Sequence, residues 1–176
     1  MTRMTLVLVI TAMVVLIVGC SSTKVTHDYD PAADFGQFKT FKWLDVPTSA
    51  AGEGLQDQLG DLVREAVNKQ LTAKGVTEVD DDPDVLMVYH AVKEPRINTE
   101  EWGYKYDPNW GKGDDIQTYD YTVGTLIVDM VDAESKAMLW RGTAEKILSE
   151  SPSPESQAQQ IGEAVAKIFE DFPPKK

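Results

Sequence analysis

The chain holds a single cysteine among 176 residues, and its surroundings carry the strongest chemical signal in the sequence. Cys20 follows Gly19 directly behind an apolar run from Leu6 to Val18, interrupted only by Thr11 and preceded by one positive side chain, Arg3. A charged start, an apolar centre and a small residue before the cut are the order of a secretory signal. A thiol just after the cut adds a second meaning, because it is nucleophilic and easily deprotonated, and so can accept diacylglycerol before the signal is removed. The pattern predicts a signal over 1–19, lipid attachment at Cys20 and a short tether over 20–24. The thirteen residues of the apolar run would rise only about 20 Å as a helix, short of a hydrocarbon core of roughly 30 Å, so a permanent span is the weaker reading.

Other residue groupings invite chemistry less strongly. Trp140-Arg141-Gly142 could clamp a carboxylate or stack on a ring. The simpler expectation puts Trp140 in the core, Arg141 outward toward Asp129 or Asp132, and Gly142 at a close approach or bulge. Aspartates 80, 81, 82 and 84 around Pro83 resemble a hard-cation site in composition but lack the spaced loop, central glycine and terminal glutamate, so a solvated turn is expected. His27 and His90 have no metal-ligand spacing, and no nucleophile elbow, phosphate-cradling loop or dinucleotide fingerprint is present. No metal, cofactor or catalytic residue is therefore assigned. The richest remaining cluster is Trp102, Tyr104, Tyr106 and Trp110, interleaved with glycines and charges. Such rings either supply a binding surface for a protein or glycan, or fold back as a lid over the sheet.

Charge narrows the partners. The chain carries 17 basic and 29 acidic side chains, and removal of 1–19, which hold only Arg3, takes its net charge from −12 to −13. That surface repels phosphate backbones and offers no basic stripe, which excludes nucleic acid as a partner class. It is not drawn to anionic lipid either, so membrane attachment must come from acyl chains, of which stable anchoring needs two. Ser21, where an aspartate would favour the inner membrane, points to the outer membrane with the domain in the periplasm. With its one cysteine assigned to lipid, the folded part must be stabilised by its core.

The elements that position these residues follow from periodicity. Val25–Asp30 reads as a strand stopped by Pro31, and Thr40–Leu44 as a second with Phe41 and Trp43 on one face. Leu55, Leu59, Leu62, Val63, Ala66, Val67 and Leu71 make one helical stripe, ended by Gly75 as a left-handed cap. A short strand at 76–79, a buried strand over 85–92 and a hairpin over 119–148 with its turn at 132–135 follow. A second helix has its stripe at Ile161, Ala164, Val165, Ile168 and Phe169, with the serine-rich approach and Glu155 suited to its start. This predicts an α+β domain over 25–176: an antiparallel or mixed sheet of about five strands with two amphipathic helices on one face, and a long loop over 93–117.

Several ordered pieces are similar to a known family. They are Tyr29-Asp30-Pro31-Ala32-Ala33-Asp34-Phe35 with Phe38–Trp43, then Leu71-Thr72-Ala73-Lys74-Gly75 with Asp82–Val88. Gly124–Asp129 follows with Leu139–Ala144, and last comes Ala164–Phe169 running to Phe172-Pro173-Pro174. Together they resemble the bacterial lipoproteins of domain of unknown function 4136. The resemblance implies an envelope lipoprotein of α+β type and carries over no catalytic residue.

The expected function is that of a membrane-anchored, non-catalytic envelope module that contacts another envelope component, protein or peptidoglycan. The alternatives are an envelope hydrolase between the 93–117 loop and the sheet, drawing on His90, Asp84 or Glu101, and a purely structural or stress-related lipoprotein.

Overall fold

The structure, a computed structural model, describes residues 23–44, 55–97, 120–149 and 151–174, with backbone alone at 55–58, 97 and 120. The elements in chain order are β1 (Lys24–Tyr29), β2 (Thr40–Trp43), α1 (Leu55–Ala73), β3 (Thr77–Glu78), β4 (Val85–Ile97), β5 (Asp120–Asp132), β6 (Met138–Leu148) and α2 (Pro154–Ile168). Six strands form one mixed sheet in the order β1-β6-β5-β4-β2-β3. Strands β1, β6, β5 and β4 pair antiparallel, while β2 runs parallel to both β4 and β3. Parallel neighbours need a long crossover, and α1 lies within the one that joins β2 to β4.

Both helices cover the same face. Val63, Val67 and Leu71 of α1 and Val165 and Ile168 of α2 join one buried cluster with Phe41, Met87, Val128 and Trp140 from four strands. Alternation along each strand explains the match: Leu126, Val128 and Met130 point to the helices, whereas Thr125, Ile127 and Asp129 point away.

Helix ends follow local chemistry. Gly75 takes a φ of 83°, and the backbone N–H groups of Gly75 and Val76 reach back to the carbonyls of Thr72 and Leu71 at 3.0 Å each. That six-residue closure also places Val76 against Leu71 in the core, the apolar contact that accompanies such caps. At α2, the Ser153 hydroxyl accepts the Ser156 N–H at 3.3 Å, and Pro154 occupies the first turn, where a missing donor costs nothing.

Two expectations are refined. Residues 93–97, expected in the long loop over 93–117, belong to β4, which continues to Ile97 and pairs with β5 from Asp120 onward, and 98–117 lie outside the described residues. Among the described residues none pairs with this side of β4 beyond Met87, where Pro95, which has no N–H to donate, is tolerated. Asp84 is a brace: its carboxylate accepts the backbone N–H groups of Lys39 at 2.7 Å and Thr40 at 2.9 Å, tying the start of β4 to the start of β2.

Those donors, Lys39 first and Thr40 next, hold the Asp84 carboxyl below its ordinary value. A depressed folded-state pKa means the contribution is complete above the unfolded value of about 3.9 and is lost as pH falls through the folded one. Asp84→Asn is thus expected to lower the melting temperature at neutral pH and to flatten the acid limb of the stability curve below about pH 4. Thermal melts of both forms across that range check it.

Candidate functional site

Among the described residues, the structure does not assemble the hydrolase constellation. Asp84 and His90 lie six residues apart along β4, roughly 20 Å of extended chain, and Asp84 is already engaged by Lys39 and Thr40. Glu101 lies outside the described residues, as do Cys20, Trp102, Tyr104, Tyr106 and Trp110. His27 is occupied as well, since its Nε2 lies 2.7 Å from the Ile168 carbonyl and its ring 5.8 Å from Trp140. Of the aspartates that precede β4, Asp82 and Asp84 join Asp132 and Glu134 around a polar cavity of about 630 Å³, which Lys42 and Lys136 also line. Among the described residues no group of three or more His, Cys, Asp or Glu side chains could hold a metal ion.

The Trp140-Arg141-Gly142 segment is architectural. Trp140 is 1 % exposed and stacks near Phe169 and Phe172, with ring centroids 5.1 Å away in each case. A Cβ on Gly142 would run into Ile168 and the Trp140 ring, so glycine is required for helix α2 to approach the sheet. On the opposite face Arg141 donates two parallel hydrogen bonds to Asp129, at 2.6 and 2.7 Å, directly across the β5–β6 pair. Asp129 is 6 % exposed and depends on this fork. Arg141→Ala should cost about 1–3 kcal/mol, less than for a fully buried pair because the arginine is partly solvated. Urea titration of Arg141→Ala, Asp129→Ala and the double variant checks the coupling: the two single losses should exceed the double one when added.

A different place has the form of a ligand site. Near the amino-terminal ends of both helices, the helix-facing side of β4, β5 and β6 opens into an apolar pocket of about 290 Å³. Its space comes from small side chains. Ala91, Leu126 and Ala144 form one row across three strands, and Ala164 faces them from α2. Leu59 and Val63 of α1 and Ile161 of α2 close the apolar wall. In the next row, Lys93, Gly124 and Lys146 stand side by side, again on the helix-facing side. Gly124 makes room for Leu148, whose methyl carbon lies 2.8 Å from where a Cβ would be built. Thr23, just ahead of β1, also lines the pocket. An apolar interior with a few polar groups at one side is the usual composition of a small-molecule site.

Sequence reasoning missed this pocket. Lys93 and Lys146 are 53 positions apart in the chain, and only the strand register brings them to either side of Gly124. The available signal was the pair of lysines at positions whose neighbours two residues away, Ala91 and Ala144, belong to the buried face.

The fold is therefore that of an α+β domain with two helices on one face of a six-stranded mixed sheet. The family described as "Domain of unknown function (DUF4136)" matches residues 25–174, and the chain belongs to it. No curated protein sequence matches the chain. Among solved structures, a PDZ domain protein from Parabacteroides distasonis ATCC 8503 superposes with a TM-score of 0.59 at 16% identity, over 88% of this chain. The match covers 37% of that protein, so the chain spans little more than a third of its length. The PelC dodecamer from Paraburkholderia phytofirmans gives a TM-score of 0.51 at 16% identity, covering 88% of this chain and 99% of that one. At such identities the likeness is one of fold.

Proposed function

We propose that this chain is a lipid-anchored envelope lipoprotein whose domain binds or helps to assemble another envelope component and carries out no catalysis. The observation that carries the reading is the order of parts at the amino terminus. Arg3, the apolar run Leu6–Val18 and Gly19-Cys20 are followed within four residues by the first strand, at Lys24. A tether that short holds the folded body near the headgroups, and Ser21 favours the outer membrane with the domain in the periplasm. Among the described residues no helix is long and apolar enough to cross a membrane, so the acyl chains on Cys20 are the anchor in this reading.

The non-catalytic assignment is motivated by the separation of Asp84, just ahead of β4, from His90 within it, and by the engagement of the Asp84 carboxylate with the backbone of Lys39 and Thr40. The partner is an envelope protein or peptidoglycan, met through Trp102, Tyr104, Tyr106 and Trp110. Crosslinking of the lipidated protein in intact cells, followed by identification of what is captured, tests it. Trp102→Ala combined with Trp110→Ala should remove the captured species while leaving the melting temperature unchanged. Loss of folding with capture unaltered would assign those rings to a lid instead.

A further inference from the structure

We infer that the pocket beneath the amino-terminal ends of α1 and α2 receives one acyl chain of an anionic phospholipid, with Lys93 and Lys146 holding its headgroup. The inference rests on the lipid-anchored reading, which places the pocket at the membrane surface.

Three observations converge. The first is the lining: Ala91, Leu126, Ala144, Val63 and Ile161 give an apolar interior with no charged group among them. A cavity of about 290 Å³ holds about ten methylene-sized groups if each takes roughly the 30 Å³ share of a water molecule. That is room for much of one unbranched chain and too little for a folded peptide segment. The second is charge. In a chain of net charge −12, two cations stand on either side of Gly124 in one row of the sheet, on the same face as the pocket. Two strand spacings set them roughly 10 Å apart at the backbone, a gap that a phosphate between them would bridge. Neither makes an ion pair with a described carboxylate. The acids beside them in sequence, Glu94 and Glu145, point to the opposite face by strand alternation. Such a pair repels itself until an anion sits between.

The third observation is position. Thr23 lines the pocket and lies three residues from Cys20, a reach of at most about 10 Å for extended chain. The opening therefore stays within the headgroup layer of whatever membrane holds the anchor. A lipid needs only to move one chain sideways to enter.

The test uses the full lipidated chain reconstituted into phosphatidylethanolamine vesicles that contain phosphatidylglycerol with a diazirine near the end of one acyl chain. Flotation first establishes anchoring. A chain that fails to float removes the lipid-anchored reading, whereas one that floats without wall adducts removes the pocket assignment alone. After illumination, adducts are expected in peptides spanning 122–126 and 144–148. They should fall at least tenfold in Lys93→Glu combined with Lys146→Glu, and also in Ala164→Phe, which fills the pocket from the helix side. Melting temperatures identify any variant that has lost its fold, and the exposed Lys93 site keeps a single Lys93→Glu variant available for the same measurement. Equal labelling by a phosphatidylcholine probe, or by a free diazirine fatty acid, would overturn the anionic-phospholipid assignment. So would wall labelling that appears only when Cys20 is replaced by serine, since the chain's own acyl group would then be the occupant.

Discussion

Replacing Trp140 with alanine is expected to lower unfolding stability by about 3–5 kcal/mol, a large part of what a domain of this size possesses. The indole is 1 % exposed and fills the space where β1, β6 and the end of α2 meet. Removing it takes ring contacts from Phe169, Phe172 and His27 at once, and Gly142 offers no side chain to collapse into the gap. Gly142→Ala attacks the same contact from the other direction, pushing α2 off the sheet, and overpacking of this kind costs about 1–3 kcal/mol. Urea unfolding followed by circular dichroism reads both. A loss below about 1 kcal/mol for Trp140→Ala would mean that the helix-facing side is packed differently from the arrangement described.

The second large effect concerns the anchor. Ile17→Ala with Gly19→Ala and Cys20→Ala replaces the lipid-accepting junction with an ordinary small-residue cleavage site, leaving export intact. The membrane-bound fraction should then fall by more than an order of magnitude, because each buried methylene of the lost chains contributed about 0.8 kcal/mol. A domain with 29 acidic side chains is on balance repelled by an anionic surface, and a single phospholipid held at Lys93 and Lys146 would not make up for the lost chains. The released protein should melt at the same temperature as the anchored one. Fractionation at neutral pH, with and without 1 M salt as a screening control of about a 3 Å Debye length, makes the comparison. Persistence in the membrane fraction would assign attachment to the domain itself.

The two helices and the hairpin are legible in the sequence because each turns a periodic apolar face toward one shared core. Seven apolar residues at steps of three and four lead to Gly75, and a sole glycine at that point has a mechanical purpose, the φ of 83° that closes the helix. Phe41 and Trp43 alternate because they lie beneath α1, and Trp43 donates its Nε1–H to Asn68 of that helix at 3.0 Å. The same logic fails where a strand leaves the covered area. Lys93-Glu94-Pro95-Arg96-Ile97 has no alternation to detect, since the side chains of 93–96 are exposed on both faces of β4 and the segment is held by its pairing with β5. Strand β3, with two residues held by β2, is too short for periodicity and exists through pairing alone.

Site legibility divides in the same way. The proposed lipid site at Cys20 rests on a local signal, a thiol at a fixed distance from an apolar run. The fork between Arg141 and Asp129 could be anticipated from a hairpin whose turn fixes the register. The pocket could not. It needs Ala91, Gly124 and Ala144 to be small, Lys93 and Lys146 to share a row, and two helix ends to stop short of covering them. Those conditions are set by tertiary placement, and no single window of sequence contains them.

The mass and first residue of the protein extracted from cell membranes test the central claim most directly. The account predicts a chain that begins at Cys20 and exceeds its polypeptide mass by that of a diacylglyceryl group or more. A chain that starts elsewhere, or one that starts at Cys20 with the bare polypeptide mass, would contradict it.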